Sequence, residues 1–201
     1  MKKNLTIIAA ILCCALSFVA CQKPAGNNDK SANEEQTPGD STTDPDDFSG
    51  RIAKVVLDYG FKTTEDVSAL FDFQMVYLDP KTGEKHTENI SGSEFSKQYT
   101  DITLPVSFGY KLTTTLKEGK TIDDIKAIES VNYLDPEPVG WISIYDKDGK
   151  LLTDGGHRAQ GSIVNISGQK VADRFSKGQY DRSYFETVNE KGHGTKGEWV
   201  D

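Results

Sequence analysis

The strongest constraint on the fold is an alternation. Ile102, Leu104, Val106, Phe108, Tyr110, Leu112 and Leu116 occupy even positions, with polar or small residues between them. Successive side chains of an extended strand point to opposite faces, so this pattern predicts a strand with one face buried. Pro105 and Gly109 fall inside the run and suggest an edge position or a bulge. Val67, Ala69, Phe71, Phe73, Met75 and Tyr77 repeat the period and end at Asp79-Pro80-Lys81-Thr82-Gly83, which has turn chemistry. Residues 84–90 can return as the hairpin partner. Ala53, Val55, Leu57, Tyr59 and Phe61 give a third alternating run.

Residues 139–145 and Leu151-Leu152 flank Asp146-Lys147-Asp148-Gly149, another hairpin signature. Residues 161–166 and 184–188 supply two more short strands. Only residues 121–129 read as a helix, with Ile122, Ile125 and Ile128 on one side. Thr121 and Asp124 stand at the spacing of a capping pair. About seven strands and one short helix predict an all-β fold, an antiparallel β-sandwich of immunoglobulin-like type. A small β-barrel is the alternative.

The N-terminus reads as an address. Lys2 and Lys3 precede a charge-free stretch, residues 5–20, which falls short of the ~20 apolar residues of a spanning helix. A basic start, a short apolar run and a small residue before the break form a secretory signal peptide over residues 1–20. Phe18-Val19-Ala20-Cys21 then resembles the lipobox of bacterial lipoproteins, with Phe18 where that family usually has Leu. The resemblance implies cleavage before Cys21, acylation of its thiol and amino terminus by chains such as palmitate, and anchorage in the cell envelope, at the outer membrane. Cys13 and Cys14 have no small residue before them. Removal of residues 1–20 leaves Cys21 alone and lipidated, which excludes an intramolecular disulfide, a Cys-ligated zinc and a cysteine nucleophile.

Residues 22–50 contain one large apolar residue, Phe48, together with Pro24, Pro38 and Pro45, and seven acids against two lysines. Such a stretch buries too little surface to offset its ordering entropy, so residues 21–50 read as a lipidated Cys on a flexible acidic linker. Asp40-Ser41-Thr42 resembles the O-glycosylation triplet of exported proteins in Bacteroidota, whose small lipoproteins the chain resembles; Ser41 and Thr42 are the candidate acceptors. In that group acids directly after the Cys accompany surface export. Residues 22–28 contain none, which favours the periplasmic face. Residues 51–201 remain as a single β-sandwich domain.

Chemistry is sparsely signalled. With 31 acidic and 23 basic residues the net charge is −8, which disfavours a nucleic-acid partner. His86, His157 and His193 lie far apart and read as surface loop residues, not metal ligands. Asp146, Asp148 and Asp154 resemble the opening of a calcium loop, but the bidentate Glu is missing, and they read as a polar turn. No serine-nucleophile elbow occurs, and Gly155-Gly156-His157-Arg158 lacks a phosphate-loop lysine. Neither a catalytic set nor a cofactor is expected. Tyr180, Tyr184, Phe185 and Trp199 cluster late, as core packing with a frayed tail or as an exposed patch.

Trp141 and Tyr145 fall on one strand face and Ile142 and Ile144 on the other. If the isoleucines are core, the two rings project outwards as a ligand platform; a second layer over that face would bury Trp141 instead. The expected function is a non-catalytic binding or structural module, attached to the membrane by lipid, for glycan or protein ligands. The alternatives are an envelope hydrolase whose residues converge only in space, and a subunit of an envelope assembly joined through strand edges.

Overall fold

The computed structural model describes residues 47–158 and 161–201. Cys21, Ser41 and Thr42 lie outside the described residues. The first half of the domain runs β1 (Lys54–Lys62), α1 (Glu65–Ser68), β2 (Phe71–Leu78), β3 (Lys85–Ile90), β4 (Glu94–Tyr99) and β5 (Val106–Leu116). The second half adds α2 (Ile122–Lys126), β6 (Val131–Tyr133), β7 (Glu137–Tyr145) and β8 (Leu151–Arg158). It ends with β9 (Val164–Ile166), α3 (Gly168–Ser176), β10 (Arg182–Val188) and β11 (Gly194–Lys196). Sheet A has the order β4-β1-β7-β8 and sheet B the order β11-β10-β5-β2-β3, with β6-β9 as a separate ribbon. All pairings are antiparallel. The fold is an all-β antiparallel sandwich. It does not close into a barrel, because neither order returns to its first strand.

The alternating runs supply the core. Val55, Leu57, Tyr59 and Phe61 of β1 face Phe71, Phe73, Met75 and Tyr77 of β2 and Val106, Phe108, Tyr110 and Leu112 of β5, all buried. Each such side chain stabilises the fold by roughly 1.5–3 kcal/mol on leaving water. Tyr59 also ties the sheets together. The β2–β5 ladder ends at the Tyr77–Tyr110 rung. Just beyond it the Tyr59 hydroxyl donates to the Leu78 carbonyl (2.8 Å) and accepts from the Gly109 N–H (3.1 Å). A side chain from sheet A thus completes a rung of sheet B.

Several sequence expectations need correction. The strand carrying Gly109 is not an edge: β5 lies between β10 and β2. Pro105 precedes it, and Gly109 is needed because a Cβ there would lie 2.4 Å from the Tyr184 carbonyl oxygen. Val67 and Ala69 are not strand residues. Thr64 accepts from the Val67 N–H (3.4 Å) and caps the one-turn α1, whose Val67 is fully buried. A single inward residue on a helical turn fits a period of two as well as a strand does.

Among the described residues three helices replace the one expected. The capping pair of α2 is present, Thr121 N–H on Asp124 (2.8 Å) and Asp124 N–H on Thr121 (3.2 Å). The missed α3 buries Val171 and Ala172 and presses Phe175 against Phe71, with ring centroids 4.9 Å apart. Gly168 lets α3 start hard against α2, since a Cβ there would lie 1.8 Å from the Ile125 carbonyl oxygen. Together the helices plug one end of the sandwich, where Arg174 pairs with Asp135 at 2.9 Å. At the start of the described chain Asp47 pairs with Lys191 (3.0 Å) and Phe48 stacks on His193. Hydrogen bonds from Ser49, then that lysine, hold the Asp47 carboxyl down at about 2.

Candidate functional site

Strand register decides which way Trp141 points. Val55 pairs with Ile144 and Leu57 with Ile142, and all four are buried in the core. The alternate pairs, Lys54 with Tyr145 and Asp58 with Trp141, therefore lie on the outer face of sheet A. Trp141 and Tyr145 are half-buried, and neither belongs to the core cluster. Four residues of strand separate them by ~13 Å. Asp58, beside Trp141, accepts from Gln98 Nε2 at 2.7 Å. On the other side Trp141 faces Gly156, whose φ of +124° and whose missing Cβ, 2.2 Å from the Gly140 carbonyl oxygen if present, exclude any side chain. The Arg158 guanidinium lies 4.7 Å from the indole centroid.

Along β1 the same face sinks into a shallow depression of about 590 Å³. Its floor is Lys54, Val56 and Asp58, and its walls include Gln98, Tyr145 and Lys147. Flat aromatic surface beside a carboxylate, an amide and two ammonium groups suits a flat, hydroxyl-rich ligand. Rings can stack on its apolar faces while the polar groups bond its edges.

The remaining candidates lie apart. His86 is on β3, stacked on Tyr77 with Nε2 3.6 Å from Asp79, and His157 is on the inward face of β8. Neither is in a surface loop. Only His193 sits in a turn, between β10 and β11. Among the described residues no three His, Cys, Asp or Glu side chains converge on a metal position. Asp146 accepts from the Asp148 and Lys150 N–H groups, both at 2.9 Å, so its carboxylate shapes the β7–β8 turn. Asp154 is exposed on β8, paired with Ser143.

The late aromatics form no common patch. Tyr180 is core, its hydroxyl on the Val171 carbonyl at 3.2 Å, and Tyr184 points between the sheets. Phe185 lies on the opposite face of β10. Trp199 belongs to a C-terminal tail fastened across the outer face of sheet B. Gly197 N–H bonds Phe185, Lys111 pairs with Asp201 (2.6 Å) and Lys85 bonds the Val200 carbonyl (2.7 Å).

Between the β8 edge and β10 the fold gathers Tyr110, His157, Tyr184 and Glu186, a cluster that sequence reasoning did not assemble. His157 Nδ1 meets the Tyr110 hydroxyl and the Pro138 carbonyl, and the Tyr184 hydroxyl donates to Glu186. Burial, then the Glu186 hydrogen bond and charge, push the Tyr184 phenol well up. Burial and then Glu137 do the same to Tyr110. Nearby Glu137 is raised by burial and then by Asp135. The His157–Tyr110 hydrogen bond joins β8 of sheet A to β5 of sheet B across the seam, whereas the Tyr184–Glu186 bond runs within β10.

No protein-family profile, curated protein or solved structure matches the chain. Among the described residues no helix is long and apolar enough to cross a membrane. Function has to be argued from the surface itself.

Proposed function

We propose that this chain is a lipid-anchored lipoprotein of the cell envelope whose β-sandwich is a non-catalytic glycan-binding module. The observation that carries the reading is Trp141. It stands on the outer face of a strand paired on both sides, beside the Asp58–Gln98 pair. A ring on a doubly paired strand is already ordered, so a ligand stacking on it loses little conformational entropy. Arg158 is a weak competitor, because an exposed cation–π contact contributes only about 0.5–1 kcal/mol. Its guanidinium can give way to a sugar ring and bond the sugar's edge.

Anchorage rests on the signal segment, Ala20 and Cys21, and the acidic linker supplies the reach from the membrane. The lipobox resemblance supports the outer membrane, and the acid-free residues 22–28 favour its periplasmic face. Affinity electrophoresis through envelope and dietary polysaccharides tests the module. Trp141→Ala should weaken retention about tenfold or more, the scale of an interface hot spot, with the circular dichroism spectrum unchanged. Equal retention of the two proteins on every glycan that slows the parent refutes the platform. Cys21→Ser should move the protein out of the detergent phase; a variant that stays membrane-bound refutes the anchor.

A further inference from the structure

The open margin of the sandwich holds a second, chemically different site. A cleft of about 330 Å³ lies between β8 and the β10–β11 hairpin, lined on one side by Ile142, Ile144, Val188 and Phe48 and elsewhere by Thr153, Asp154 and His193. Glu186 is set into it with only 7% of its surface exposed. A carboxylate so buried keeps little of its hydration and gains from compensation. Tyr184 supplies one hydrogen bond, to Oε2. Among the described residues Oε1 receives none, and no Lys, Arg or His forms an ion pair with Glu186.

The nearby cations are turned elsewhere. Lys196, directly opposite on β11, holds its Nζ 5.9 Å from the Tyr184 ring centroid. Arg182 donates to the Asp181 carbonyl at 3.1 Å, and Lys191 pairs with Asp47. Glycines make room for Oε1 itself. A Cβ at Gly194 would lie 1.7 Å from that oxygen, and one at Gly155 would lie 3.8 Å from it. The result is a small cleft with one apolar side and three charged or titratable side chains, of which Glu186 is buried and Asp154 and His193 are exposed.

We propose that this cleft binds a primary alkylammonium group, its chain against Ile142, Ile144 and Val188 and its nitrogen donating to Glu186 Oε1. The volume is at the low end for ligand pockets, enough for a side-chain-sized group and too small for an oligosaccharide. Among the described residues no three metal-ligating side chains converge here, which favours an organic cation over a metal ion with its several ligands. A free amine and a lysine side chain of a partner protein share this chemistry.

The test is an NMR titration of the full domain with n-butylammonium chloride, with n-butanol as the uncharged comparison. Butylammonium should shift the amide signals of Gly155, Gly192 and Gly194, and butanol should bind at least about tenfold more weakly, lacking the charge-assisted bond. Glu186→Gln should cause a similar loss, and Trp141→Ala none. Gly155→Val keeps the carboxylate and fills the cleft from an edge strand; it should abolish binding in a protein that still folds. Nα-acetyl-lysine N-methylamide distinguishes the sources: tighter binding than butylammonium names a lysine side chain, weaker binding a free amine. No shift with the parent protein, equal affinity for butanol, or binding that survives either cleft variant would overturn the proposal.

Discussion

The two tryptophans offer a comparison between the outer faces of the sandwich. Each has a cation against its ring, Arg158 at 4.7 Å from Trp141 and Lys85 at 5.2 Å from Trp199. Their supports differ. Trp141 belongs to β7, hydrogen-bonded to β1 on one side and β8 on the other. Trp199 belongs to a tail beyond β11, held by polar contacts among largely exposed groups, its indole N–H on Asp201 at 3.2 Å. Two similar aromatic–cation pairs therefore have opposite meanings. On sheet A the ring is fixed on a strand of the open face; on sheet B the chain itself covers the part of the face where its tryptophan lies.

The severest test removes the link between the two sheets. Tyr59→Phe leaves the Gly109 N–H and the Leu78 carbonyl without the bridging hydroxyl. At about 1–3 kcal/mol for the buried Gly109 N–H and about 1 kcal/mol for the part-buried Leu78 carbonyl, the loss should be about 2–4 kcal/mol in urea unfolding. Amide exchange should speed up at Gly109 while β7 around Trp141 keeps its protection. Acceleration across both sheets would show that the two faces cannot be treated separately.

Truncation after Gly197 should have a much smaller effect on stability, because exposed ion pairs contribute little. Glycan retention should not change; a loss would move the binding face to sheet B. Acid gives the mildest test. Hydrogen bonds from Lys111, then from Trp199, hold the Asp201 carboxyl below its ordinary 3.8. A depressed carboxyl keeps its contacts in full above that value and loses them as pH falls through its folded value. In a Trp141→Phe protein, Trp199 should therefore become more accessible to a neutral quencher below pH 3.8. In a Trp199→Phe protein, the accessibility of Trp141 should stay level.

What the sequence disclosed was whatever depends on neighbours along the chain. Period-two alternation located β1, β2 and β5 and set Trp141 opposite Ile142 and Ile144, but whether a second layer covered it became visible only from the paired strands. Thr121 and Asp124 marked α2 because a cap is a local device. α3 left a fainter trace, Val171, Ala172 and Phe175 on one helical face, without a side-chain cap at Ser167. The seam and its cleft left none. Glu186 is buried because β8 and β11 bring Gly155 and Gly194 up to it, and that proximity exists only once the strands have paired. The tail over sheet B is equally hidden, since Lys85, Lys111 and Asp201 lie far apart in sequence.

The position of β1 has a mechanical consequence. If the chain is tethered through Cys21 and bound through Trp141, any pull between envelope and ligand enters the domain at the head of β1. That strand is central in sheet A, with nine residue pairs to β7 and six to β4. Tension along it loads both ladders in shear, so the rungs bear the force together and do not peel one by one. The ligand face is carried by the same two strands, β1 and β7, so once the Asp47 and Phe48 contacts with the β10–β11 turn have given way, the line of force from tether to ligand runs within sheet A.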